Sequence, residues 1–281
     1  MKDYLALTKP RITVFILLST AIGFLCAGHF QAWTLLHALI GTGLMASGTA
    51  ALNQWYEREA DAKMNRTKAR PIPSGRLTAR RAFWFGVALS IGGFFDLWLG
   101  ANLLAGLLSL FTLVSYLFVY TPLKQRSPHS TTIGAIPGAM PPLIGFAAAA
   151  GTLNPLAWIL YGILFLWQFP HFYAIAWMYR EDYARAGIRM LPVVEPDGES
   201  TARRIVLFSL ALVPVSLLPR FFGSAGNVYL AGALALGLLF VLAGARAAFD
   251  RTRPRARQVL LASVVYLPLL YGLLVLDRPG L

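Results

Sequence analysis

Residues 33–76 read WTLLHALIGTGLMASGTAAL–NQWYEREADAKMNRTKARPIPSGR, an almost wholly apolar run followed from Asn53 by a stretch crowded with charge. Twenty apolar residues wound as a helix reach about 30 Å, the thickness of a bilayer's hydrocarbon core. The charged stretch therefore begins at a membrane edge, where ionisable groups are functional candidates. Asn53, Glu57 and Asp61 stand at i, i+4 and i+8. On a helix each step turns them by only about 40°, so they share one face. Two carboxylates and an amide oxygen form a hard donor set suited to Mg²⁺, which keeps waters and takes phosphate oxygens as its other ligands. Arg66, Lys68, Arg70 and Arg76 follow directly. A metal site beside a cationic loop is what a diphosphate requires; a solvated charged loop after a helix is the plainer alternative.

Outward from this stretch the chain repeats the same alternation. Of its 281 residues 57% are hydrophobic and 13% charged. Apolar runs fall at 12–28, 33–52, 83–99, 102–120, 131–150, 155–177, 205–223, 228–248 and 259–276. Lipid admits no irregular backbone, so the expected fold class is all-α: a polytopic membrane protein, a nine-transmembrane-helix bundle over one embedded domain, 1–281. The formal net charge of +13 would suggest nucleic acid in a soluble protein. Here the cations lie between spans and speak of orientation instead. The N-terminus, 54–81, 121–130, 178–204 and 244–257 carry 23 of the 25 Lys and Arg residues, leaving Arg220 and Arg278 on the other side. This asymmetry predicts a cytoplasmic N-terminus and an external C-terminus. The first run lacks a small-residue cleavage site and reads as a retained helix. The single cysteine, Cys26, excludes an internal disulfide and a cysteine metal cluster.

Three further features carry candidate chemistry. YTPLKQR, 120–126, places Lys124 and Arg126 at the inner end of the fourth span, where they can complete a phosphate cradle. Lys9 and Arg11, just before the first span, are similar candidates. WQFPHFYAIAWMYREDYARAGIRMLPVV, 167–194, puts Gln168 and His171 in the last turns of the sixth span beside Pro170, with Glu181 and Asp182 following. It offers a second phosphate- or acceptor-facing edge, or a membrane histidine satisfied by a neighbouring helix; its aromatics read as an interfacial belt. The fifth span contains Pro137, Pro141 and Pro142 and the pair Gly134 and Gly138. It reads either as a close-packed kinked helix or as a bent wall that makes room for a bulky ligand. Asp96 reads as interfacial, and His29, His37 and His129 show no partner in the sequence.

The motif of Asn53, Glu57 and Asp61 resembles the first motif of the UbiA-type intramembrane prenyltransferases. More narrowly, LTKPRITVFIL, DAKMNRTKARPIPSG, YTPLKQRSPHSTTIGAIPGAMPPLIG, WQFPHFYAIA and DYARAGIRMLPVV resemble, in order along nearly the whole chain, the protohaem IX farnesyltransferase (haem O synthase) family. Glu57 stands where the superfamily usually has aspartate, and Arg189 where proline is expected. In place of a second Asp-rich motif the chain has His171, then Glu181 and Asp182. The resemblance implies a Mg²⁺-dependent enzyme of a bacterial cytoplasmic (inner) membrane. It would transfer farnesyl from farnesyl diphosphate to a vinyl group of haem b, giving haem O and diphosphate, and serve the respiratory terminal oxidases. Asn53, Glu57 and Asp61 would hold the metal. Arg66, Arg70, Lys124, Arg126 and Arg11 would bind the diphosphate, and His171 or Asp182 would hold water or a haem propionate. Haem A synthase or terminal-oxidase assembly proteins are the implied partners, and nucleic acid is not. A quinone or other aromatic acceptor would leave the metal site unchanged. A transporter for an anion would tend to show two related halves; no such repeat is visible, and nine spans do not divide equally.

Overall fold

A computed structural model describes residues 1–278, whose regular structure is all helical, with no strand among them. The helices are α1 Lys2–Leu7, α2 Pro10–Cys26, α3 Ala32–Tyr56, α4 Arg58–Lys63, α5 Ala79–Gly100, α6 Leu103–Val114, α7 Thr121–Leu123, α8 Ser130–Gly138, α9 Pro141–Ala150, α10 Pro155–Met178, α11 Arg180–Arg185, α12 Leu191–Val194, α13 Glu199–Phe221, α14 Asn227–Asp250 and α15 Arg253–Leu276. A π-helical stretch, Ser115–Tyr120, joins α6 to α7. Eight spans are long and apolar enough to cross a bilayer, with α6–α7 and α8–α9 each making one. The ninth expected span is α2, an apolar helix of 17 residues. Pro10 opens it and Gly28, at φ 86°, ends the turn that follows, so it begins and ends two residues earlier than the run 12–28 suggests. The chain is a multi-span membrane protein.

Two compact units make up the chain: residues 1–153 with 181–189, and residues 154–180 with 190–281. In the first, α2 packs on α9 and α3 on α5 through small residues, as membrane helices do when no hydrophobic drive separates helix from lipid. A Cβ on Gly145 would run into the Thr20 carbonyl, and one on Gly23 into that of Pro142. The fifth span breaks at Ala139 and Met140 between α8 and α9, just ahead of Pro141 and Pro142. Neither proline can donate to the ladder, and their rings exclude a continuous helix. Gly134 lies against the ring of Tyr120 in the π-helical stretch, so this part of the span serves close packing. In the second unit α10, α13, α14 and α15 pack together. Phe169 stacks on Phe208 with ring centroids 3.8 Å apart. Tyr229 donates to the Ser216 carbonyl at 2.7 Å, and the hydroxyls of Ser216 and Tyr266 meet at 2.8 Å. Asp277 caps α14 by accepting from the Tyr229 N–H at 2.7 Å.

Candidate active site

The helix that begins as the second span runs on past its apolar stretch, so Asn53 sits in the last turn of α3 and is 2% exposed. The backbone breaks at Glu57 (φ −87°, ψ 9°) before α4 carries Asp61. The i, i+4 ladder survives the break: the Glu57 N–H donates to the Asn53 carbonyl at 2.9 Å, and that of Asp61 to the Glu57 carbonyl at 2.8 Å. The expected common face is therefore kept, although it spans two helices rather than one.

A cation faces each member of the motif. Lys9 Nζ lies 3.5 Å from Asn53 Oδ1, Lys124 Nζ 2.9 Å from Glu57 Oε1, and Arg70 Nη1 2.7 Å from Asp61 Oδ2. Asn53 Nδ2 donates to Thr121 Oγ1 at 3.2 Å, and that hydroxyl donates to the Tyr116 carbonyl at 2.8 Å, which fixes the amide with its oxygen toward Lys9. Asp61 is 1% exposed, and its Oδ1 is buried without a hydrogen-bond partner among the described residues. Burial would raise the Glu57 carboxyl, but the Lys124 ammonium outweighs it and holds the group below the usual carboxylate range. Burial likewise opposes charge on Lys124, and Glu57 with the rings of Tyr120 and Tyr116 drives it well above the ordinary lysine value. The pair is ionised on both sides. Lys9 differs: burial first, then the Arg70 guanidinium, push it down to about 7. Its backbone is left-handed (φ 49°, ψ 58°), an unusual state for a lysine and one associated with functional sites.

The loop after α4 is tied down from several sides. Thr67 Oγ1 donates to the Asp61 carbonyl at 2.9 Å. Asp182 accepts from the N–H groups of Asn65 and Arg66 at 3.3 and 3.1 Å and pairs with Arg185. Its carboxylate oxygens thus hold loop backbone. The Arg66 guanidinium lies over the Tyr183 ring, 5.7 Å from its centroid. Arg76 bridges Asp3 and the Ala69 carbonyl, each at 2.9 Å. Arg189 donates its backbone N–H to the Lys124 carbonyl at 2.8 Å, a bond that a proline at this position would lack.

The structure thus brings Lys9, Asn53, Glu57, Asp61, Arg70 and Lys124 into one cluster within the first unit, with Arg66 on the adjoining loop. Arg126 and Arg11 are exposed, and neither side chain forms an ion pair among the described residues. Lys68 is exposed as well. His171 belongs to the second unit, whereas Asp182 belongs to the first. His171 stacks on Trp167 at 4.7 Å, and its Nδ1 is 2.8 Å from Ser263 Oγ. That hydroxyl donates to the Leu260 carbonyl at 2.6 Å, so His171 carries the proton on Nδ1 and leaves Nε2 as an acceptor. Asp96 and His37, read from the sequence as interfacial and unpartnered, form a pair at 2.8 Å between α5 and α3. The residues that sequence reasoning missed at the cluster are Thr121, Tyr116 and Tyr120. The one signal for Lys9 is its place directly before Pro10 at the start of an apolar helix.

The donor chemistry fits Mg²⁺. Asn53, Glu57 and Asp61 offer oxygen donors, and Asp61 Oδ1, buried with no hydrogen-bond partner among the described residues, is the kind of acceptor a hard cation suits. No group of three His, Cys, Asp or Glu residues gathers among the described residues, so an all-protein cage is absent there.

A family model described as the UbiA prenyltransferase family matches residues 16–267. Among curated relatives, the protoheme IX farnesyltransferase of Solibacter usitatus (strain Ellin6076) is 63% identical over 292 residues, covering 100% of both chains. That of Koribacter versatilis (strain Ellin345) is 47% identical, covering 99% of this chain and 94% of its own length. Among solved structures, a digeranylgeranylglyceryl phosphate synthase has a TM-score of 0.81 at 19% identity, covering 100% of this chain and 99% of its own. A UbiA homologue from Archaeoglobus fulgidus, described as bound to DMAPP and Mg²⁺, has a TM-score of 0.71 at 16% identity, covering 97% and 99%. These two likenesses speak for the fold alone.

Proposed function

The chain belongs to the UbiA prenyltransferase family, and from that premise we propose that it transfers the farnesyl group of farnesyl diphosphate to a vinyl group of haem b, giving haem O and diphosphate. The observation that carries the choice of acceptor is 63% identity, over the full length, to a relative named protoheme IX farnesyltransferase. A quinone acceptor has no comparable support.

Asn53, Glu57 and Asp61 would hold Mg²⁺ through their oxygens. When bound, the ion supplies positive charge against the leaving diphosphate. The chain's own residues do the rest of the binding. Lys124 and Arg70 each now neutralise one carboxylate of the motif, and Lys9 lies against its amide oxygen. Released toward a diphosphate, Lys124 and Arg70 become charge-assisted donors, with Arg66 beside them on the loop. Arg126 and Arg11 extend the cationic edge. Countercharge is needed as the C1–O bond of the allylic diphosphate breaks, because negative charge builds on the leaving oxygens. The vinyl carbon then bonds to C1, water adds its oxygen to the carbon next to the pyrrole, and one proton is lost. The proposed acceptor-side residue is His171, whose Nε2 lone pair can take a proton from water. Asp182 acts by holding the 65–66 backbone rather than by touching substrate.

The bilayer in question is proposed to be a bacterial cytoplasmic membrane, with the N-terminus inside and the C-terminus outside, on the strength of the cation asymmetry. Haem O would pass from there to a haem A synthase or to terminal-oxidase assembly proteins. The deciding experiment incubates the purified full chain with haem b, farnesyl diphosphate and Mg²⁺. Mass spectrometry should find a haem that has gained a hydroxyethylfarnesyl group, and chelation with EDTA should stop its formation. Turnover of a quinone head group with none of haem b would overturn the proposal.

A further inference from the structure

A second feature of the first unit lies apart from the cluster. Between α1 and the start of α5 is a cavity of about 700 Å³ lined by Tyr4, Thr78, Arg80, Arg81, Trp84 and Phe85. Tyr4 and Phe85 meet edge to face at 4.9 Å and close its inner wall. Trp84 is 59% exposed within it. Arg80 and Arg81 are exposed, and neither guanidinium has an ion-pair partner among the described residues. Asp3, the carboxylate of α1, is already taken by Arg76 at 2.9 Å.

None of the cavity's six lining residues belongs to the cluster of Asn53, Glu57 and Asp61. Leu52 packs against Gly86, and Trp55 against Phe83 at 4.8 Å, so this side of α3 faces α5. Asn53 points about 200° round the helix from Trp55. A molecule in the cavity is therefore not the prenyl donor at the cluster. We propose that the cavity binds the phosphodiester headgroup of an anionic membrane phospholipid, with the glycerol and first acyl carbons laid against Trp84 and Phe85.

Charge and depth choose this occupant. Two adjacent free guanidinium groups suit a phosphodiester, which each can hold through paired N–H donors. They open a membrane span, with Thr78 capping its first turn at Arg81 N–H. The headgroup layer is where such basic residues meet anionic lipid. Trp84 lies one turn deeper, at the boundary between headgroup and hydrocarbon that tryptophan favours. A free phosphate would neutralise the arginines and leave the aromatic wall uncovered.

The test is native mass spectrometry of the delipidated full chain, titrated with dioleoylphosphatidylglycerol or dioleoylphosphatidylcholine. One phosphatidylglycerol should be retained at least tenfold more tightly than phosphatidylcholine. R80Q/R81Q should abolish that preference while leaving the lipid-free melting temperature unchanged. Trp84→Ala should weaken retention but keep the preference. Equal retention of both lipids, an unaltered preference in R80Q/R81Q, displacement of the lipid by inorganic phosphate at millimolar concentration, or displacement by haem b would each overturn the proposal. None of these readouts depends on prenyl transfer.

Discussion

Asp61 is the residue on which the site turns. It is almost wholly buried, one oxygen accepts from Arg70, and the other has no hydrogen-bond partner among the described residues. A buried carboxylate with an unmet acceptor is costly unless a cation completes it. Asp61→Asn keeps the size and removes the charge, and we expect transfer to fall by roughly 10²-fold or more, about 3 kcal/mol in the barrier. Glu57→Asp keeps the charge and should be far milder. A Mg²⁺ titration of both variants checks this, and wild-type turnover by Asp61→Asn at ordinary Mg²⁺ would end the metal reading. Lys124→Ala removes a charge-assisted partner worth about 1.5–3 kcal/mol. The KM for farnesyl diphosphate should rise roughly ten- to a hundredfold while that for haem b stays within a few-fold. Steady-state kinetics with each substrate varied in turn distinguishes this from a general loss of fold, which would move both.

At the scale of elements, the cluster depends on how closely α2, α3, α5 and α9 approach one another. Lys9 reaches Asn53 from the start of α2, and α2 is seated on α9 by Gly23 and Gly145. Gly145→Ala would press a methyl group into the backbone of Thr20, which has no room to give. Overpacking of this kind costs about 1–3 kcal/mol or more. Gly43→Ala is the matched control, since its Cβ would meet only the Leu17 side chain at 3.6 Å. In detergent, Gly145→Ala should melt several degrees lower and Gly43→Ala should not; equal melting temperatures would refute the close-approach account. The π-helical stretch acts at the same scale. Its register brings the Tyr116 carbonyl to Thr121, and through that hydroxyl it orients Asn53.

For the molecule as a whole, orientation in the bilayer decides which compartment must supply the diphosphate. With 23 of 25 cations in alternate segments, reporters fused after Arg66 and Arg251 should be active only in the cytoplasm and one at the C-terminus only outside. A cytoplasmic C-terminus would remove the nine-span topology.

That the chain is helical and membrane-spanning is legible in the sequence, because hydrocarbon permits few backbone solutions and the apolar runs are long. The candidate motif of Asn53, Glu57 and Asp61 and the cationic loop were legible too, because both are local patterns within a few residues of one helix end, although the motif proves to run from α3 into α4. The tertiary structure alone decided what each charge faces. Lys124 lies 67 residues from Glu57, His37 59 from Asp96, and Asn65 117 from Asp182. No periodicity spans such separations. Which cation meets which carboxylate is set by helix packing, and packing in a membrane is governed by small residues and shape rather than by a hydrophobic pattern that can be read along the chain. For the same reason the sequence could offer Asp182 only as a possible holder of water or a haem propionate, and its contact with the backbone N–H groups of Asn65 and Arg66 came from the fold. Lys9 could be seen as a cation before a span; its strained backbone and its contact with Asn53 exist only once α2 and α3 have come together.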